Sequence, residues 1–340
     1  MAETGSLPTR QFGATDMQIT RVGFGAWAVG GGDWVSGWGD QDDADSIAAI
    51  RHAIDRGINW IDTAAVYGLG RSEEVAAAAL RGLPADRRPY VFTKCGLIWD
   101  EANRTAMPRR IGRADSLRQE VEQSLSRLGV ERIDLYQMHW PAEDGTRVGE
   151  YWQTLLDLKR EGKVRAVGLS NHNVAQLTAA EALGHVDTLQ PPFSAIRRDV
   201  AANELPWCAE HNTGVIVYSP MQSGLLSGSF SKERAESLPK NDWRSRAPEF
   251  TGEKLLRNLA LVEAMRPIAA RHETSVGAVA IAWTLGWRGV SAAIVGARNP
   301  GQVDNWLSAA ELELTAGDFD DIAAALQKSG AGSGPQHPRR

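Results

Sequence analysis

A parallel (β/α)8 barrel, the TIM barrel of the α/β class, is the fold that this 340-residue chain predicts. Eight short apolar runs alternate with stretches of helical period, and no second compositional zone divides the chain. Seven of those runs end on a polar or site-suited residue: Asp62, Lys94, His139, Ser170, Gln190, Tyr218 and Gly296. Such barrels carry their sites at the C-terminal ends of the strands. Length allows one barrel or two average domains, and the unbroken alternation favours one domain over residues 1–327.

After a flexible start at 1–10, the turn at 13–16 favours a short hairpin over 11–21. A strand at 22–25 follows. Ile47, Ile50 and Ile54 recur every three or four residues, one face of a helix over 44–56 that stops at Gly57. The unit repeats as a strand at 58–61 and an Ala-rich helix at 72–81, whose Ser-Glu-Glu opening suits a helix N-terminus. A strand at 90–93 leads to a helix at 113–128, striped by Leu117, Val121, Leu125 and Leu128 and ended by Gly129. Strands at 133–138, 164–169, 186–189, 215–218 and 292–295 alternate with helices at 151–160, 174–182, 201–211, 253–270, 276–287 and 300–309. Residues 222–252 form a Ser-, Pro- and charge-rich insertion too long for an ordinary connection. A loop of that kind is expected to cover a site, and gating of cofactor release is one role for it. A last helix at 316–327 precedes SGAGSGPQHPRR, so 328–340 is expected to be a flexible tail.

A net charge of −5 leaves no general basic field, which argues against nucleic acid and anionic membrane as partners. A local basic pocket for an anionic cofactor stays open. No run approaches 18 apolar residues and MAETGSLPTRQFG has neither signal nor transit character, so a cytoplasmic location without membrane insertion is expected. Cys95 and Cys208 stand in no metal-ligand spacing and read as reduced thiols. Of 12 tryptophans, Trp27, Trp34, Trp38, Trp99 and Trp140 lie near the segments that carry chemistry, which suggests an aromatic-walled pocket.

Those segments centre on INWIDTAAVYG (58–68), an apolar run that delivers Asp62 to its end and Tyr67 five residues later. Tyr67 suits a proton donor, since a phenol is protonated at neutral pH. An ammonium about 4 Å away at an effective dielectric of about 20 is worth roughly 4 kcal/mol, enough to lower a phenol pKa by up to about three. Lys94 is the expected source of that charge, with Asp62 holding it and His139 orienting a carbonyl oxygen. Each also has a plain structural reading: a cap, a packed ring, a rim lysine, a satisfied core histidine. Their joint placement at strand ends favours the chemical one.

The motifs IDTAAVYGLGRSEE (61–74), FTK (92–94), IDLYQMHWP (133–141), VRAVGLSNH (164–172), LQPPFS (189–194), VYSPMQSGLLSG (217–228) and VGARNPGQ (295–302) together resemble the aldo-keto reductases, NAD(P)H-dependent carbonyl reductases on this barrel. The resemblance spans nearly the whole chain. It implies a catalytic set of Asp62, Tyr67, Lys94 and His139, a small-molecule carbonyl substrate, NADPH as cofactor and a monomer as the default state. For the cofactor it implies Gly25, Ala26, Trp27, Asp62, Ser170, Asn171 and Gln190, with Tyr218 stacking on the nicotinamide and Ser219, Pro220, Met221 and Ser223 along the pyrophosphate. Gly296, Arg298, Gln302 and Asn305 complete the far end, where Arg298 is placed to clamp a 2′-phosphate. Trp306 occupies the position at which the family often has asparagine, which puts the adenine contact in question. Asn299 before Pro300 independently predicts a capped helix start whose amides face an anion. GFGAWAVGGG (23–32) most resembles the subgroup with a tryptophan in its first loop, and it implies a substrate wall of Trp27, Trp99 and Trp140.

Other readings compete less well. GFGAWAVGGG is not G-x-G-x-x-G, and the tyrosine–lysine pair in YVFTK lies on a strand, where residues four apart stand well over 10 Å from each other. A metal-dependent hydrolase using His139, His172 and Asp62 lacks a recognised ligand pair, so no metal is expected. A non-catalytic nicotinamide-binding subunit, like the potassium-channel β subunits of the same superfamily, remains the alternative.

Overall fold

The computed structural model describes residues 7–239 and 242–338. Eight parallel strands, Val22–Gly25 (β1), Trp60–Asp62 (β2), Tyr90–Cys95 (β3), Ile133–Met138 (β4), Val164–Ser170 (β5), Thr188–Gln190 (β6), Gly214–Val217 (β7) and Ala292–Gly296 (β8), close into a barrel in chain order. The expected fold class is the one observed. Helices Asp43–Asp55, Arg71–Leu80, Ala114–Leu128, Val148–Arg160, Val174–Glu181 and Glu204–His211 follow the first six strands. After β7 come Gly252–Arg271 and Val276–Leu285, and after β8 come Pro300–Leu307 and Ala316–Ser329.

Alternation along each strand decides what fills the barrel. Trp60, Phe92, Leu135, Ala166, Ile216, Ala292 and Ile294 pack together in its interior, and Phe12, Met17 and Ile19 of the N-terminal hairpin join them. That hairpin pairs Thr9–Gln11 with Gln18–Thr20. Trp60 is fully buried and needs Gly23 beside it, because a Cβ there would lie 2.1 Å from the indole. Two residues further along the same faces, Trp60 gives way to Asp62, Phe92 to Lys94 and Ile294 to Gly296. The apolar plug therefore sits beneath a polar mouth.

Two expectations for the termini need correcting. Of the flexible start, residues 1–6 lie outside the described residues, but Arg10 is anchored through its guanidinium to the carbonyls of Leu285 (3.1 Å) and Val290 (3.0 Å). The tail expected to be flexible is docked as far as it is described. Arg198, 1% exposed, donates from its side chain to the Ala331 and Gly334 carbonyls at 3.2 and 3.3 Å, and Ser333 Oγ donates to Asp199 at 2.9 Å. A buried guanidinium requires acceptors, and the tail backbone supplies them. Residues 339–340 lie outside the described residues. Among the described residues, no helix is long and apolar enough to cross a membrane.

Candidate active site

Asp62 ends β2 and is latched there by its neighbours. Its carbonyl accepts from Ala26 N at 2.8 Å, and Thr63 N donates to Phe92 O at 2.8 Å. Its buried carboxylate takes Lys94 Nζ at 2.6 Å on one oxygen and Gln190 Nε2 at 2.8 Å on the other. Lys94 Nζ also donates to Thr63 O at 2.9 Å and reaches Tyr67 Oη at 3.5 Å. Tyr67 sits on the turn after β2, where Gly68 adopts φ +61° and lies so close to Gly30 that a Cβ would fall 2.0 Å from its carbonyl oxygen. Only glycine permits that approach. His139 follows β4, with its ring 5.6 Å from the Tyr67 ring in an edge-on arrangement. Asp62, Tyr67, Lys94 and His139 are thus brought together from three strand ends and one turn.

Burial dominates the acid–base behaviour of all four. It pushes the Asp62 carboxyl up and the Lys94 ammonium down, and each charge opposes the other's shift. It drives His139 well below its ordinary value, helped by the charges of Lys94 and Arg110. Tyr67 departs from expectation. Its phenol lies well above its ordinary value, because burial comes first and the Asp62 carboxylate and Tyr218 add to it. The Lys94 ammonium does not outweigh these, since it is drawn to Asp62 almost an ångström closer than to the phenol oxygen.

On the far side of the mouth, Ser170 Oγ donates to Gln190 O at 2.8 Å, and Asn171 donates to His139 O at 3.0 Å while accepting from Tyr218 Oη at 2.8 Å. Asn171 is left-handed (φ +63°), as are Leu69, Ser219, Gln222 and Ser223 around the same mouth, a concentration of strained backbone typical of functional sites. His172 has both ring nitrogens engaged, Nδ1 with Ser170 O at 2.8 Å and Nε2 with Tyr151 Oη at 2.7 Å. The carbonyl only accepts, so Nδ1 carries the proton and Tyr151 donates to Nε2. Burial holds this imidazole down at about 4, and it braces Ser170 rather than facing the mouth.

The mouth opens into one cavity of about 1150 Å³. Gly25, Trp27, Asp62, Ser170, Asn171, Gln190, Tyr218, Ser219, Pro220, Met221, Ser223, Gly296, Arg298, Gln302 and Asn305 all line it, with Tyr67, His139 and Trp140. Ala26 does not, because alternation turns Gly25 inward and leaves Ala26 fully buried behind the wall. Trp99 is also outside it, with its indole N–H donating to Glu101 at 2.6 Å. At the far end, Asn299 caps the Pro300–Leu307 helix by accepting from Gln302 N at 3.0 Å, as its sequence predicts. Arg298 donates to Gln41 Oε1 at 2.5 Å and to the Asp40 carbonyl.

Several lining residues escaped sequence reasoning. Ser275 caps the helix Val276–Leu285 at the cavity edge, and a serine before an apolar run was the available signal. Arg234, Arg244 and Arg266 add positive charge and carried no local signal. The 222–252 insertion folds across the first loop: Trp243 stacks on Trp27 at 5.8 Å and meets Trp38 edge-on at 5.8 Å. Arg244 lies over Trp38 at 4.8 Å and pairs with buried Asp242 at 2.6 Å.

A closed parallel barrel with a polar mouth and a long groove defines the architecture of a barrel enzyme with its site at the C-terminal ends of the strands. The sequence profile of the Aldo/keto reductase family matches residues 21–327, and the chain belongs to that family of nicotinamide-dependent oxidoreductases. Aldo-keto reductase YhdN of Bacillus subtilis (strain 168) is 32% identical over 316 residues, 93% of this chain and 92% of that one. The NADH-specific methylglyoxal reductase of Escherichia coli (strain K12) is 32% identical over 330 residues, covering 93% and 98% of the two chains. The glycerol dehydrogenase AKR11B4 from Gluconobacter oxydans has a TM-score of 0.85 and 35% identity, with 100% of both chains covered.

Proposed function

We propose that the chain reversibly reduces aldehydes and ketones to alcohols with NADPH, with Tyr67 as proton donor, Lys94 and Asp62 acting on it, and His139 orienting the carbonyl. The observation that carries this reading is the environment of Lys94 Nζ, which meets Asp62, Thr63 O and Tyr67 Oη together. An ammonium has three protons, and three acceptors surround this one. Tyr67 Oη therefore accepts from Lys94, and its own proton is left for an oxygen in the cavity. His139 stays neutral at pH 7 and donates a hydrogen bond to that same oxygen without competing for the proton. NADPH, when bound, supplies the hydride to the carbonyl carbon.

The cavity suits such a molecule chemically, being aromatic near Tyr67 and bordered by arginines and two helix N-termini at its other end. Gly25, Trp27, Asp62, Ser170, Asn171, Gln190 and Tyr218 would hold the nicotinamide end, and Ser219, Pro220, Met221 and Ser223 the pyrophosphate. Gly296, Arg298, Gln302 and Asn305 would hold the adenosine, with Ala26 supporting the wall from behind. Trp27 and Trp140 would face a small carbonyl substrate. The tryptophan in the first loop supports placement in the subgroup defined by that loop.

Tyr67→Phe tests the reading through NADPH oxidation at 340 nm with 4-nitrobenzaldehyde and methylglyoxal. Turnover is expected to fall by about 10²–10⁴ while NADPH fluorescence titration still shows binding. Wild-type protein that binds NADPH but turns over no carbonyl would contradict it. Because the phenol is raised and His139 lowered, reduction is expected to vary by less than about twofold between pH 6 and 9. Alcohol oxidation needs the phenolate and should climb steadily over the same range; reduction that fades below pH 9 would refute the raised phenol. For cofactor choice, Arg298→Ala is expected to raise the KM for NADPH by about tenfold or more and that for NADH far less. Equal effects would remove Arg298 as a 2′-phosphate ligand.

A further inference from the structure

Arg110 stands on the cavity wall on the substrate side, in a setting built to hold it still. It lies on a two-stranded ribbon in which Leu97 pairs with Arg110 and Ile98 with Arg109. Its carbonyl accepts from Glu143 N at 3.0 Å, and Ile111 N donates to Gly96 O at 3.1 Å, which ties the ribbon to the ends of β3 and β4. The guanidinium rests on the Trp140 ring, 4.6 Å from its centre. Trp140 directly follows His139, so the cation sits one residue from the imidazole assigned to the carbonyl oxygen. Its charge is felt there, being one of the causes that depress His139.

Arg110 has donors to spare. Among the described residues only Nη1 is engaged, by Glu143 Oε1, which leaves Nε and Nη2 without a protein acceptor. Glu143 is 66% exposed, and a solvent-screened pair of this kind contributes little to stability. An anion arriving along the wall can therefore share or replace Glu143 at small cost. The rest of this end, Trp27, Trp34, Val66, Leu97 and Pro108, offers apolar and aromatic surface. A planar guanidinium with free N–H groups matches a carboxylate or phosphate better than it matches a hydroxyl.

We propose that Arg110 is a specificity-determining residue that binds an anionic group on the substrate, so that the preferred substrates are small aldehydes or ketones bearing a carboxylate or phosphate. The proposal rests on the carbonyl-reductase reading of the same site. The reaction itself is unchanged: hydride to the carbonyl carbon, a proton from Tyr67 to its oxygen, and the anionic group untouched.

The test compares kcat/KM for matched pairs: 4-carboxybenzaldehyde against methyl 4-formylbenzoate, and glyceraldehyde 3-phosphate against glyceraldehyde. The wild type is expected to favour the charged member of at least one pair by tenfold or more, and the responding pair identifies carboxylate or phosphate. Arg110→Met, which keeps an apolar side chain over Trp140, should lower that ratio at least tenfold. Glu143→Gln should raise it by freeing the guanidinium. A merely structural role would shift both members of a pair alike and leave the ratio fixed. Added KCl should erode the wild-type preference and leave Arg110→Met indifferent. A wild type with no charge preference in either pair, or an unchanged ratio in Arg110→Met, overturns the proposal. Turnover of the neutral members reports the carbonyl-reductase reading separately.

Discussion

The buried pair of Lys94 and Asp62, 2.6 Å apart with side chains at 0% and 3% exposure, is the interaction on which the barrel mouth depends. Removing two charges from water costs several kcal/mol per ion, and attraction offsets this only when the remaining hydrogen-bonding capacity is also met. Gln190 and the Thr63 carbonyl meet it here. These groups come from β2, β3 and β6, so the pair is satisfied only when strands on different sides of the barrel keep their register. A slip of one residue in β3 would turn Lys94 toward the helices and Cys95 into the barrel. Closure of the sheet and stability of the pair are therefore one condition.

The low dielectric that makes the pair demanding also sets the rest of the chemistry. It keeps the Tyr67 phenol protonated and the His139 imidazole neutral, the two states a carbonyl oxygen requires of a donor and an orienting group. Aromatic surface walls this region. Trp27 packs against Tyr67 on one side and Trp243 on the other, so the first loop and the long insertion meet above the reacting groups. The insertion's Asp242–Arg244 pair, with Arg244 also donating to Ser223 O at 3.2 Å, holds that contact in place.

Most of the barrel and its polar mouth were legible because strand alternation is a local property. Once 90–94 reads as a strand that places Phe92 in the core, Lys94 must share its face. The Asn299–Pro300 helix start was readable for the same local reason. What escaped depends on partners distant in sequence. Trp243 and Trp27 meet across more than 200 residues, and the two-residue ribbon strands at Leu97–Ile98 and Arg109–Arg110 are too short to show a period. The tail composition suggested disorder because the need it serves belongs to Arg198. The direction of the Tyr67 shift is set by burial, which no local motif reports and which outweighs the one nearby charge. Glu73 was read as an acid at a helix start, yet it is fully buried between Thr93 and Arg127 at 2.6 Å from each.

The central claim is that the Lys94–Asp62 pair poises Tyr67 for proton transfer rather than merely filling the barrel mouth. Single removal of either charge would leave the other buried and destabilise the fold, so the direct measurement uses Lys94→Met combined with Asp62→Asn, a neutral replacement of both. Stopped-flow absorbance at 340 nm then follows hydride transfer, while circular dichroism and NADPH fluorescence report fold and binding. A folded, NADPH-binding variant whose hydride transfer is slower by about a thousandfold is the predicted result. Transfer within about tenfold of wild type would contradict the account.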